Sequence, residues 1–235
     1  VARRPGVEVC PPAGRRRTLP SDLASAFRRA PLAARLRIVG RWFLCPFAAV
    51  LRHLPETGRF LDVGCGDGLL FWLAARLRPP GAWEGVGIDH DPGKIAVART
   101  IARPGIRFED ASLASMPGGA FDRVTMMDVL YCVPPEGWDA LLAGCARALA
   151  PGGRLIVKDV VDEPRWKSWF TRAQEAIAVT LLGMTKGARP HVESRRTFES
   201  ALERAGLRGV EVERIDRGRP YGHALFVAEK PGTSP

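Results

Sequence analysis

An alternation that begins at residue 59 restricts this chain more than any other feature. The segments RFLDV, WEGVGID, IRFED, FDRVTMMDVL and GRLIVKDV are short, apolar and bounded by turn formers, so each reads as a strand. Between them GLLFWLAARL, PGKIAVARTIA and EGWDALLAGCARALA carry apolar residues at helical spacing. Repeated strand–helix–strand units force a parallel sheet with right-handed crossovers and helices on both faces. After residue 160 two further helical stretches precede VEVERID and HALFVAEK, which can pair as antiparallel strands at one edge. The expected architecture is α/β, a doubly wound, mostly parallel seven-stranded sheet with an antiparallel edge strand near the C-terminus. At 235 residues the chain suits one such domain.

In a sheet of this kind ligands bind beyond the carboxyl ends of the strands, where the strand order reverses. The first strand ends at Asp62-Val63 and runs straight into Gly64-Cys65-Gly66-Asp67-Gly68. Glycines at alternate positions permit unusual φ values and let a ligand lie close to the backbone. The spacing is G-x-G-x-G rather than the G-x-G-x-x-G of dinucleotide sites, and no G-K-[ST] follows, which excludes a phosphate-cradling P-loop. The second strand ends in Asp89, followed by His90, and a carboxylate there can accept two hydrogen bonds from a ribose diol. The third ends in Asp110-Ala111, where a carboxylate could accept from an exocyclic amine of adenine. One acid at a strand end is often only a helix cap. Three at successive strand ends, Asp62, Asp89 and Asp110, form a set.

Taken in order, LDVGCGDG (61–68), GIDHD (87–91), FEDA (108–111), FDRVTMMDVLYCV (121–133) and LAPGGRLIV (149–157) resemble the class I S-adenosylmethionine-dependent methyltransferases, specifically the small-molecule subgroup with the ubiquinone/menaquinone-type enzymes. The resemblance implies the Rossmann-like methyltransferase fold with S-adenosyl-L-methionine as cofactor. By resemblance, the Gly64–Gly68 turn lies against the methionine part, Asp89 binds the ribose, and Asp110 with the Ala111 backbone holds the adenine. The segment around Asp128 borders the amino-acid end and the methyl group. The expected cofactor-side residues are Asp62, Gly64, Cys65, Gly66, Gly68, Asp89, His90, Asp110, Ala111 and Asp128. Asp128 and Tyr131 are the catalytic candidates, although Tyr131 stands where many relatives carry His. Lys158, His191 and His223 are further candidates for lining an acceptor pocket. The turn at Pro151–Gly153 reads as structural.

Charge and cysteine usage narrow the remainder. Residues 1–41 hold ten arginines against Glu8 and Asp22, a net of +8, and the rest of the chain adds only +2. The segment 1–31 is therefore expected to be a basic, Pro/Gly-rich arm without a fold of its own, either a solvated tail or a contact for an anionic membrane surface. The domain proper is expected over 32–235, with apolar helical caps at 32–54 and 164–187. In the second of these, Trp166, Trp169, Phe170, Ala173, Ile177, Leu181 and Met184 recur at three- and four-residue steps. Five cysteines, an odd number without a C-x-x-C, and four histidines outside ligand spacing argue against a disulfide framework or a metal site. No apolar run is long enough to span a bilayer, and a reducing cytoplasmic setting, peripheral to a membrane at most, is expected. The favoured activity is methyl transfer to a small, apolar or lipid-like acceptor. The alternatives are an RNA or protein methyltransferase using the basic arm, and a catalytically idle cofactor-binding domain. A near-neutral core and the absence of an N-P-P-Y-type tetrapeptide after the fourth strand weigh against nucleic acid as the partner.

Overall fold

The computed structural model describes residues 19–77, 79, 81–111, 116–118, 121–162, 191–216 and 222–232. The strands are β1 (Gly58–Val63), β2 (Trp83–Asp89), β3 (Ile106–Asp110), β4 (Phe121–Met127), β5 (Leu149–Val160), β6 (Arg208–Arg214) and β7 (His223–Glu229). They form one seven-stranded sheet in the order β3-β2-β1-β4-β5-β7-β6. The first five in sequence are mutually parallel, and β7 runs antiparallel to both β5 and β6. The order reverses between β1 and β4, whose neighbouring carboxyl ends pair Asp62 with Thr125 and Val63 with Met126. That junction is where a crevice opens in a doubly wound sheet.

The two-residue period of the strands sorts the core into two layers. Phe60, Ile156 and Leu225 join one apolar cluster, with α1 (Leu23–Ala26), α2 (Leu32–Leu44), α3 (Phe47–Leu51), α4 (Leu69–Leu77) and α5 (Pro92–Arg99). Their neighbours Leu61, Leu155 and Phe226 join the other, with α6 (Trp138–Ala148) and α7 (Arg195–Arg204). Gly85 and Gly87 of β2 point into the first layer, where any Cβ would run into Phe71 and Trp83, or into Phe108 and Cys65. Aromatic bulk over β2 thus requires small residues beneath it. In the second layer Phe198 stacks on Phe226 at 4.9 Å and meets Trp138 at 4.6 Å.

Three expectations need correction or comment. The strand read over 121–130 stops at Met127, because Asp128 takes φ +59° and Leu130–Cys132 turns into a 3-10 helix. The apolar helical stretch 35–54, interrupted at Pro46 in the sequence, is two helices. Cys45 is extended before Pro46, as the ring of a following proline requires, and α3 starts afresh at Phe47. The arm does not extend to residue 31. Leu23, Phe27 and Ala30 are buried, and Asp22 pairs with Arg76 of α4, so residues 19–31 belong to the folded domain. Two large apolar side chains, each stabilising by about 1.5–3 kcal/mol when buried, outweigh the local poverty of apolar residues. Residues 1–18 and the helical stripe read over 164–187 lie outside the described residues. No helix among those described is long and apolar enough to cross a membrane.

Candidate active site

The turn after β1 is a chain of left-handed glycines, with φ +73° at Gly64, +57° at Gly66 and +79° at Gly68. Two of them are needed for different reasons. A Cβ on Gly64 would run into Val129, whereas the nearest atom to a Cβ on Gly66 is Arg41 Nη1 at 3.8 Å. Gly66 therefore leaves room on its cleft side, the opening a closely approaching ligand requires. Asp89 fixes the turn from β2: its Oδ2 accepts from the Gly66 N–H at 2.9 Å and its Oδ1 from the Asp91 N–H at 2.9 Å. A carboxylate has about four lone-pair positions, so two remain for a diol. Asp91 in turn caps α5, accepting from Gly93 N–H at 2.9 Å.

Asp62 is 3% exposed and accepts from Thr125 Oγ1 at 2.6 Å. Burial pushes its pKa up to about 7, against the lowering effect of that hydrogen bond and of Arg41. Facing it, α2 sends two arginines inward at i and i+4. Arg37 grips Asp67 with two bonds, Nε–Oδ2 at 2.8 Å and Nη2–Oδ1 at 2.6 Å. Arg41 reaches Asp128 Oδ2 at 3.4 Å. The resulting cleft has an apolar wall of Ile38, Phe47, Leu69, Leu70 and Met127, with Asp62, Asp67 and Arg41 as its charged groups.

Asp128, on the far side of Arg41, is the one non-glycine residue with positive φ among those described. Its N–H donates to the Lys158 carbonyl at 2.8 Å, and its carboxylate pairs with the Lys158 ammonium. Cys45 Sγ donates to the same carboxylate at 3.3 Å. Burial opposes its ionisation, but Lys158, Arg41 and His223 outweigh that and hold the carboxyl far below the usual range. Next to Lys158, Asp159 accepts from Val160 N–H at 2.8 Å and Leu130 N–H at 2.9 Å, with a longer bond from Tyr131 N–H at 3.4 Å. Burial and the negative charge of Asp128 raise its pKa.

The sequence candidates separate accordingly. Asp62, Gly64 and Cys65 line the cleft, Asp89 is tied to Gly66 of the same turn, and Asp128 is linked to the cleft through Arg41 and paired with Lys158. Tyr131 is half-buried, and burial, with Cys132 and Asp128 nearby, raises its pKa well above that of a free phenol. His191 touches Tyr131 through its backbone, whose N–H donates to the Tyr131 carbonyl at 2.7 Å. His223 is buried at the start of β7. Cys65 is buried and its thiol is pushed upward by burial and the surrounding acids, so it acts as packing beneath the turn. His90 is exposed, with Nδ1 3.6 Å from Asp89 Oδ1. Asp110 is exposed at the end of β3, and the Ala111 N–H donates to the Asp89 carbonyl at 3.2 Å. Of the Ala111 backbone expected to hold the adenine, the N–H is thus engaged with β2 in this conformation. The reading of the sequence missed Arg37, Arg41, Cys45, Thr125 and Asp159. The signal for the arginines was present as R-x-x-x-R within an otherwise apolar helix, but only the fold aims them at the turn.

Comparison with known proteins agrees with this geometry. The family described as "Methyltransferase domain" matches residues 40–212. Trans-aconitate 2-methyltransferase of Methylobacterium nodulans is 32% identical over 185 residues, covering 77% of this chain and 68% of that protein. Ubiquinone biosynthesis O-methyltransferase of Xanthomonas axonopodis pv. citri is 35% identical over 159 residues, 65% of this chain and 60% of that one. Among solved structures, the complex between the Haloferax volcanii Trm112 methyltransferase activator and a putative methyltransferase shares the fold. It matches at TM-score 0.68 and 20% identity, over 91% of this chain and 99% of that chain. A glycine turn at the switch point, a buried carboxylate bracing it and a match that spans most of the domain agree, and the chain belongs to the class I S-adenosylmethionine-dependent methyltransferases.

Proposed function

We propose that the chain methylates a small, apolar or lipid-like acceptor by in-line displacement, and that Asp62 and Arg41 hold the two ends of the cofactor's amino acid. The observation that carries this reading is the placing of the Asp62 carboxylate and the Arg41 guanidinium on a single cleft beside the glycine turn, whose other carboxylate, Asp67, is taken up by Arg37. An ammonium beside Asp62 and a carboxylate beside Arg41 are the complement of a zwitterion. Asp89, with two lone pairs to spare, suits the ribose hydroxyls. The cofactor supplies a methyl group already activated on a sulfonium, with a neutral thioether as leaving group. What the chain must supply is position, and holding the reactants in line can account for about 7–11 kcal/mol of barrier.

The acceptor class follows from what the cleft lacks. Among the described residues at the site, Arg37 is committed to Asp67 by two short bonds and Lys158 to Asp128, so Arg41, whose one contact with Asp128 is long at 3.4 Å, is the cation best placed to take an anion. With Arg41 serving the cofactor, a strongly anionic acceptor finds no further cation there, while the aliphatic and aromatic wall suits an apolar one. The name of the Xanthomonas relative, a ubiquinone-pathway O-methyltransferase, supports the same class. Neither catalytic candidate suits a general base. Asp128 is too weak a base while locked to Lys158, and the Tyr131 phenol stays protonated and acts as a donor. The site therefore favours an acceptor nucleophile that needs no proton removed by these two groups. The reading extends to a cytoplasmic, membrane-peripheral placement, supported by the charge of +8 on residues 1–41.

Methyl-labelled S-adenosylmethionine incubated with the chain and a lysate separated into lipid, water-soluble, RNA and protein fractions tests the reading. Label is expected in the lipid fraction. Label in acidic water-soluble compounds would favour an acceptor resembling that of the trans-aconitate enzyme, and label in RNA or protein would replace the proposal. Binding without transfer to any fraction would leave a cofactor-binding domain.

A further inference from the structure

Helix α2 is apolar on two opposite sides. Its inner side buries Ala34, Ile38 and Trp42 and carries Arg37 and Arg41 into the active site. At 3.6 residues per turn, Leu32, Leu36, Val39 and Phe43 fall in one stripe on the other side. Leu32 is 68% exposed, Leu36 58% and Phe43 44%. Leu32, Leu36 and Val39 continue into a shallow apolar groove floored by Leu23, Phe27 and Ile38. An apolar face on a helix is normally buried against something.

The rim of this face identifies what it suits. Arg35 lines the groove, Arg28 and Arg29 follow Phe27 of its floor in the chain, all three are exposed, and none forms an ion pair with a described residue. Asp22 is the only acid from residue 9 to residue 55, and Arg76 already holds it. A leucine stripe with exposed arginines beside it, and with Asp22 already held by Arg76, matches a surface that is anionic outside and apolar just beneath. Arginine stems can lie along the apolar layer while their guanidinium groups reach phosphates or carboxylates. A second copy of the chain fits poorly, because two such faces would bring six arginines together with no acid between them. Nucleic acid would satisfy the arginines but leave the leucines without a partner.

We propose that the outward face of α2 (Leu32, Leu36 and Val39, with Arg28, Arg29 and Arg35 beside it) docks on an anionic lipid surface. Because the same helix carries Arg37 and Arg41, docking places the active-site wall one helix diameter from the bilayer. The proposal stands apart from the identity of the acceptor, since it is a binding property that needs no turnover.

The test is co-sedimentation of the full chain with vesicles of phosphatidylcholine alone and of phosphatidylcholine with about 30 mol % phosphatidylglycerol, a common anionic lipid. Preferential binding to the anionic vesicles is expected, weakened by salt as exposed charges are screened. The double substitution Leu32→Ser/Leu36→Ser should lower vesicle affinity about tenfold or more and leave the melting temperature unchanged, since both side chains are exposed. The triple substitution Arg28→Gln/Arg29→Gln/Arg35→Gln should abolish the preference for anionic lipid. Equal binding to both vesicle types would overturn the proposal. So would a leucine variant that binds like the parent, which would assign binding to other basic residues. A self-association lost in the leucine variant would give the face to a second copy instead.

Discussion

Lys158 carries its ammonium where solvent does not reach it, at 0% exposure, and Asp128 is the partner that makes this tolerable. Removing one member of a buried pair leaves the other uncompensated, which typically costs about 3–5 kcal/mol. Lys158→Met should therefore lower stability by that order in denaturant titration, and adding Asp128→Asn should recover part of the loss. A fully additive double variant would mean that the pair is not coupled. Asp62 offers a pH signature. Its folded pKa of about 7 lies above the unfolded carboxyl value of about 3.9, so the native state binds this proton more tightly. Its contribution to stability is thus complete below pH ~4 and lost as pH rises toward 7. Asp62→Asn should gain stability relative to the parent across that window, by at most about 1.4 kcal/mol per pH unit, and level off above it. If Asp62 also meets the cofactor's ammonium, parent affinity should tighten as pH rises through 7, and the variant's should not. Calorimetry at several pH values checks both.

The glycine turn shows how one element serves two ends. Gly64 and Gly66 share a left-handed backbone, in which an L side chain costs roughly 1–2 kcal/mol, but their surroundings differ. Gly64→Ala should lose more stability than Gly66→Ala, because its Cβ would also collide with Val129. Gly66→Ala should lose cofactor affinity out of proportion to its loss of melting temperature, because its Cβ enters the cleft beside Arg41. Equal losses of both quantities in both variants would show that the turn is only structural. The turn itself was legible as LDVGCGDG, and so were the strands that flank it. The end of β4 was not, since the apolar run FDRVTMMDVL continues smoothly past Asp128. Its break is set by contacts from β5, where the Lys158 carbonyl and ammonium together hold Asp128 in its left-handed conformation.

For the molecule as a whole, the N-terminal boundary carries the clearest prediction. Deleting residues 1–31 should lower the melting temperature further than deleting 1–18, because the longer deletion removes Leu23, Phe27 and Ala30 from the core and Asp22 from Arg76. Identical thermal curves for the two truncations would return residues 19–31 to the arm. Periodicity and turn chemistry are local, so the sequence alone determined the parallel sheet, the switch point and the acids at the ends of β1, β2 and β3. The family resemblance also offered Asp128, Tyr131 and Lys158 as candidates, of which the structure pairs Asp128 with Lys158. The sequence did not place α2 over the glycine turn, nor reveal that this helix supplies Arg37 and Arg41 across thirty and eighty-seven residues of chain to Asp67 and Asp128. Burial decides how a charge behaves, and burial exists only after packing. The raised pKa of Asp62, the depressed one of Asp128 and the exposed second face of α2 therefore belong to the tertiary structure alone.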